Sequence, residues 1–293
     1  MSQTVEYCPL CGDGRCSHFD QRVFRGLEVF NHLCLNCGLI YQSPRMTEAE
    51  MEEFYAAEYR RVYQGDEGPV VKDLVVQRAR ARSLLAFAKK EIKTVSRHLD
   101  IGCSAGLLLQ SFSEHYGTES IGVEPGKAYR EYARNQGLTI YSSLEELYNS
   151  SQATFDLISM AHVLEHLPDP TGYLEALRTT RLGPDGYLLV EVPNLYGHDC
   201  FETAHLFSFS AHTLREVIRQ AGYRIIRLEK HGRPRSEIVP YYISVLARPD
   251  NTFQPIPHIL PERWVGLKRR LGMLRRRIAN RLFPRKAWID LTG

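Results

Sequence analysis

The sequence predicts an α/β protein: a mostly parallel, seven-stranded sheet with helices on both faces. A small cysteine-bearing segment precedes the sheet and a basic amphipathic helix follows it. Three observations lead there. Residues 93–249 alternate short apolar runs with helical periods, the pattern of successive strand–helix units. Within them an apolar strand end, His98-Leu99-Asp100-Ile101, enters a turn of small residues before a helix from about Leu107. Near the N-terminus stand two Cys-x-x-Cys pairs, Cys8/Cys11 and Cys34/Cys37.

Four segments follow from composition: 1–45, rich in cysteine and turn residues; 46–92, helical; 93–249, the α/β body; and 250–293, a linker punctuated by Pro255, Pro257 and Pro261 with a basic tail. Thr47-Glu48-Ala49-Glu50 marks a helix start, because a capping Thr accepts a backbone N–H and the Glu three positions on reaches back to it. The expected strands are Arg97–Ile101, Ser120–Val123, Leu138–Tyr141, Phe155–Met160, Tyr187–Val192, Tyr223–Leu228 and Tyr241–Ala247. Only Lys230–Pro240 joins the last two, too little for a crossover helix, so they should pair antiparallel.

The chain has 293 residues, 43% hydrophobic and 24% charged, ordinary for a soluble globular protein. It has no apolar run of transmembrane length and its first residues lack the marks of a signal peptide, so a cytosolic protein is expected, with a peripheral place at the inner membrane face if the tail binds lipid. A reducing compartment favours reading clustered cysteines as metal ligands. The net charge of +3 conceals an asymmetry: residues 262–286 hold ten Lys or Arg and a single acid, Glu262, so the remainder is acidic.

The turn Gly102-Cys103-Ser104-Ala105-Gly106 lets a ligand approach the backbone and meets it with the N–H groups of a helix start. Its spacing is not the G-x-G-x-x-G of a dinucleotide site. Glu124, at the end of the next strand, is placed to accept the hydroxyls of a ribose. These residues, with Ile121–Pro125, Phe155–Pro170 (including His162-Val163-Leu164-Glu165-His166) and Leu182–Asn194, resemble the ordered motifs of class I S-adenosylmethionine-dependent methyltransferases over roughly residues 80–248. The resemblance implies a Rossmann-like methyltransferase sheet. It also implies that Asp100 and the backbone of Gly102, Cys103, Ser104, Ala105 and Gly106 face the methionine part of S-adenosylmethionine. Glu124 would bind the ribose, Ser143 and Leu144 would flank the adenine, and Ala161 and His162 would line the reaction chamber.

In each Cys-x-x-Cys pair a glycine, Gly12 or Gly38, follows the second cysteine and permits the tight turn of a zinc knuckle. Cys8, Cys11, Cys34 and Cys37 would complete a four-sulfur Zn²⁺ site, structural because no position is left for substrate. Cys16 and His18 are spare potential ligands that read rather as a surface thiol and an ordinary histidine, and Cys103 and Cys200 read as core or loop residues.

A cysteine knuckle leading into Ser43-Pro44-Arg45 and a tyrosine-rich stretch (Tyr55, Tyr59, Tyr63) is similar to zinc-ribbon methyltransferases associated with nucleotide sugars and polysaccharides. That likeness implies a small-molecule or glycan acceptor, nucleotide- or lipid-linked. Sugar C-methyltransferases carry a Glu-His pair where this chain has Ala204-His205, which favours O-methylation of a hydroxyl. A hydroxyl nucleophile calls for a base titrating near neutral pH. His205, His162 and His166 are the candidates, His205 placed first. Glu165 and His166 also read as capping groups for the following helix, and the three tyrosines as a lid or a packed helix face.

From Trp264, the residues Leu267, Leu271, Leu274, Ile278 and Leu282 fall on one helical face among basic neighbours. This suits an anionic membrane surface, a helix docked on the protein or a partner, or RNA. Two other readings stay open: an RNA methyltransferase gripping its substrate with zinc segment and tail, and a cofactor-binding module without catalysis.

Overall fold

The structure, a computed structural model, describes residues 3–53, 68–254 and 259–291. Tyr55, Tyr59 and Tyr63 lie outside the described residues, as do Pro255 and Pro257.

All seven expected strands form. They are β4 (Arg97–Ile101), β5 (Glu119–Val123), β6 (Thr139–Tyr141), β7 (Phe155–Ala161), β8 (Leu182–Pro193), β10 (Tyr223–His231) and β11 (Tyr242–Pro249), in the spatial order β10-β11-β8-β7-β4-β5-β6. Strands β8, β7, β4, β5 and β6 run parallel, whereas β11 is antiparallel to both β8 and β10, as the short Lys230–Pro240 connection requires. The helices are α1 (Glu48–Glu53), α2 (Val71–Ala88), α3 (Leu107–Tyr116), α4 (Lys127–Asn135), α5 (Leu144–Ser150), α6 (Pro170–Thr180), α7 (Ala211–Gln220), α8 (Val265–Leu282) and the short α9 (Pro284–Ala287).

Strand alternation divides the core between the two faces. Leu188, Val190 and Val192 join Leu174, Leu177, Leu214 and Ile218 of α6 and α7, while Leu189, between them, joins Leu84 and Phe87 of α2 and Phe112 of α3. The Thr47 cap takes the expected form, its hydroxyl accepting from Glu50 N at 3.3 Å and the Glu50 carboxylate accepting from Thr47 N at 2.9 Å.

The N-terminal segment contributes β1 (Cys16–Phe24), β2 (Leu27–Cys34) and β3 (Ile40–Gln42) to a second, antiparallel sheet of order β1-β2-β3-β9. Its fourth strand, β9 (Phe207–Ser208), comes from the loop that follows β8 of the large sheet. Gln42 reinforces the junction, its backbone N–H donating to Leu206 O at 2.9 Å and its side chain to Glu202 O at 2.5 Å.

The tail helix α8 docks, but not through its leucines. Arg269 is buried and donates to the Leu195 and His198 carbonyls, Gly272 lies against the Tyr196 backbone, and Ala279 and Val265 are buried. Glu262 fastens the start of the tail, accepting from Tyr196, Ser210 and Lys268 while its own N–H donates to Cys37 O. Trp264, Leu267, Leu271, Leu274, Ile278 and Leu282 all remain exposed. The helix therefore seats its small and arginine side on the body and turns its apolar stripe to solvent.

Candidate active site

The carboxyl ends of β4, β5 and β7 converge where ligands bind in sheets of this kind. Gly102 and Gly106 hold φ of +72° and +77°, and a Cβ on Gly102 would stand 2.5 Å from Val163 Cγ2, so glycine is required by backbone and by space. Ser104, at φ +52°, shares the left-handed conformation. Gly102 N and Cys103 N donate to Val123 O, which binds the turn to the end of β5. Glu124, buried, lies alongside: one carboxylate oxygen accepts from Ser104 N and the other from Gly126 N, each at 2.9 Å.

The remaining loop residues divide by direction. Asp100 is buried beneath the turn and accepts from Ser159 Oγ at 2.6 Å; Ser159 Oγ in turn stands 2.7 Å from His98 Nε2. Burial raises its carboxyl to about 7 against the Ser159 hydrogen bond. The Cys103 side chain points into the core against Gly122, so only its backbone belongs to the loop. Ala105 N donates to Gln77 Oε1 of α2 at 3.3 Å. Ser143 uses its hydroxyl to cap α5, accepting from Glu146 N, and Leu144 packs against the core beside it.

Ala161 ends β7, and His162 follows at φ +58°, a strained conformation of the kind that collects at functional sites. Its Nδ1 is 3.4 Å from Glu165 Oε1 and its Nε2 3.4 Å from Glu191 Oε1, and the ring meets Tyr242 edge-on. Burial and the Arg80 charge pull the His162 pKa down; the Glu165 and Glu191 carboxylates beside its two nitrogens outweigh them, leaving it raised. Glu191 is itself buried and paired with Arg80 Nε at 3.1 Å.

His166 and His205 lie deeper, their rings 4.8 Å apart, with Nδ1 donating to Ala204 O (2.8 Å) and Cys200 O (2.9 Å). Burial holds His166 down at about 4. Glu165 and His166 do not cap the next helix. They occupy a single 3₁₀ turn (Leu164–His166), and Asp169 caps α6 by accepting from Gly172 N. The proline that opens α6 places the cap at the residue before it, three positions beyond His166.

Arg80, Gln77, Glu191 and Tyr242 are site residues that the motifs did not reveal. Gln77 and Arg80 sit with Asp73 at steps of four and three on α2, a polar stripe legible in the sequence. Glu191, lying within an apolar strand, is a second such signal.

At the other end, Cys8 and Cys37 sulfurs stand 3.5 Å apart, as do those of Cys11 and Cys34, and all four lie within 4.8 Å of one another. A disulfide needs about 2.0 Å, whereas the edge of a tetrahedral zinc–thiolate site is about 3.8 Å. The donor set therefore fits zinc. Cys16 is exposed and outside the cluster, while Cys103 and Cys200 are buried elsewhere.

A seven-stranded mixed sheet with a glycine-bounded loop after β4 and an acid ending β5 defines a class I S-adenosylmethionine-dependent methyltransferase. The family described as "Methyltransferase domain" matches residues 76–228, more than half of the chain, and the protein belongs to it. Two curated relatives are named ubiquinone biosynthesis O-methyltransferase. That of Hahella chejuensis is 32% identical over 97 residues, covering 30% of this chain and 40% of its own. That of Alkalilimnicola ehrlichii is 30% identical over 105 residues, covering 33% and 42%. The chain thus spans about two fifths of the length of these relatives. Among solved structures, 1,6-didemethyltoxoflavin-N1-methyltransferase from Burkholderia thailandensis, with bound S-adenosylhomocysteine, superposes with a TM-score of 0.56 at 18% identity, over 74% of this chain and 98% of its own. The mitomycin 7-O-methyltransferase MmcR gives 0.51 at 16% identity, over 68% and 60%. At such identities these structures share the fold.

Proposed function

We propose that this methyltransferase transfers its methyl group to a hydroxyl oxygen of a sugar or related acceptor, with His162 as the general base. The observation that carries the reading is the seat of His162 between two buried carboxylates at the end of β7, beside the cofactor loop. When bound on Gly102–Gly106 and Glu124, S-adenosylmethionine supplies a methyl group already activated by its sulfonium. The protein's own task is then to align the hydroxyl and remove its proton. Glu165 and Glu191 each stand 3.4 Å from a ring nitrogen, which orients the imidazole and favours its protonated form. Glu191 is already engaged by Arg80, so it steadies the imidazolium that forms without competing for the proton. His162 is also more accessible than its neighbours, its side chain 21% exposed against 8% for His166 and 9% for His205. Its preference over His205 rests on this exposure and on the paired carboxylates. The curated relatives named O-methyltransferases support an oxygen acceptor.

The test is transfer of labelled methyl groups from S-adenosylmethionine into cell fractions by the full chain. Label is expected in lipid-extractable or nucleotide-linked glycan. Label confined to RNA would replace this reading with an RNA methyltransferase, and cofactor binding without transfer to any fraction would leave a binding module.

The tail suggests where the acceptor is met. The exposed leucine stripe borders an open groove of about 570 Å³ lined by Ile238, Leu271, Leu274, Ile278 and Phe283. Ten basic residues share the segment, and the chemistry that satisfies both is an anionic bilayer surface. Full burial of one Leu is worth about 1.5–3 kcal/mol. The double variant L271S/L274S is therefore expected to lower partitioning onto anionic vesicles about tenfold or more. Equal flotation of variant and parent would remove the membrane from the reading.

A further inference from the structure

We propose that Glu165, His166 and His205 form a second metal site, for a divalent first-row transition ion, next to the methyl-transfer chamber. One donor atom from each lies within 4.8 Å of the others, and all three residues are buried. The site is built from two separate stretches of chain, the 3₁₀ turn after β7 and the loop before β9, which the fold brings together.

Two features point to an ion rather than to ordinary packing. First, both histidines donate Nδ1–H to backbone carbonyls, of Ala204 and Cys200, so the lone pair of each neutral ring is on Nε2. That is the supporting arrangement of metal-binding histidines, in which a carbonyl on the far nitrogen fixes tautomer and ring direction. Second, Glu165 is 1% exposed, yet neither of its carboxylate oxygens accepts a hydrogen bond from any described residue. Such a carboxylate carries a large desolvation cost that charge attraction from neighbouring imidazoles offsets only in part. His162 Nδ1 approaches it at 3.4 Å and His166 Nε2 at 3.9 Å, distances of charge attraction. Glu202 Oε2 lies 4.0 Å from His205 Nε2 and adds negative charge at the rim. Two imidazoles and a carboxylate make a donor set suited to zinc, iron or manganese, with positions left over for an oxygen ligand.

The use of such an ion rests on the proposed O-methyl transfer. An acceptor hydroxyl bound to it becomes more acidic. Its proton passes to His162 as the new oxygen–carbon bond forms and the sulfur–carbon bond breaks. Glu165 would then touch both the base and the ion.

The test counts metal in the full chain after loading with Co²⁺ and desalting. The parent should hold about two ions per chain, one on the thiolates and one on the histidine–carboxylate set. Cys37→Ser should lose the ion responsible for thiolate charge-transfer absorption and keep the other. Glu165→Gln and His205→Gln should each keep the thiolate bands, bind one ion fewer, and retain S-adenosylmethionine affinity within a few-fold, which reports an intact fold. One ion per chain in the parent, or two in both Glu165→Gln and His205→Gln, would overturn the proposal. A parent that binds both ions but transfers no methyl group would instead count against the acceptor reading.

Discussion

Replacing His162 with Gln is expected to lower kcat about 10²–10⁴-fold, the contribution of a positioned general base, with S-adenosylmethionine affinity changing far less. A base works only when deprotonated, so the parent's activity should fall as pH drops through the His162 pKa. Glu165 and Glu191 raise that pKa above 6.5 by favouring the cation. The acid limb of the kcat profile should therefore lie at higher pH than an unperturbed histidine would give. It should disappear in His162→Gln and move to lower pH in Glu191→Gln, which gives up one of the two carboxylates. Activity within tenfold of the parent, with the limb intact, would remove His162 as the base and return His205 to first place.

The second large effect is expected at Glu124. Its buried carboxylate accepts from Ser104 N and Gly126 N at the mouth of the cofactor loop, on the strand end suited to the ribose. A hydrogen bond to a charged acceptor contributes about 1.5–3 kcal/mol. Loss of a bidentate contact should then raise the Kd for S-adenosylmethionine about 100-fold or more in Glu124→Ala, as read by calorimetry. Glu124→Asp should recover part of this, because the charge remains and only the reach shortens. An affinity within threefold of the parent in Glu124→Ala would mean that the ribose is held elsewhere.

Much of the molecule could be read from its sequence where signals were local. The strands Arg97–Ile101 and Phe155–Met160 are apolar runs bounded by turn residues, and the Gly102–Gly106 loop is a short contiguous motif. The cysteine pairs declared themselves by spacing. Other features depend on separations that no local pattern encodes. The two residues of β9 pair with β3 and close the second sheet, yet Phe207-Ser208 has no strand signature of its own. The Glu191 cluster joins α2, β7, β8 and the β10–β11 hairpin, so its membership became visible only when those elements were adjacent. The tail shows a third kind of gap. Periodicity located its apolar face, but not that docking would use the opposite side, since a buried Arg269 bound to carbonyls runs against composition.

The strand exchange between the two sheets has a consequence for how the chain is made. Synthesis delivers Gln42 long before Glu202, the residue 160 positions downstream to which it donates. The N-terminal hairpin can close early, since β1 and β2 are neighbours, and all four cysteines of the cluster are present as soon as Cys37 emerges. The outer edge of β3 must wait for the rest of the enzyme. Such long-range pairing slows folding and leaves an uncovered edge in the nascent chain. Of the two sheets, the one that carries the cysteines can thus begin to form early and is completed late, its completion marking the moment at which the loop carrying His205 is in place.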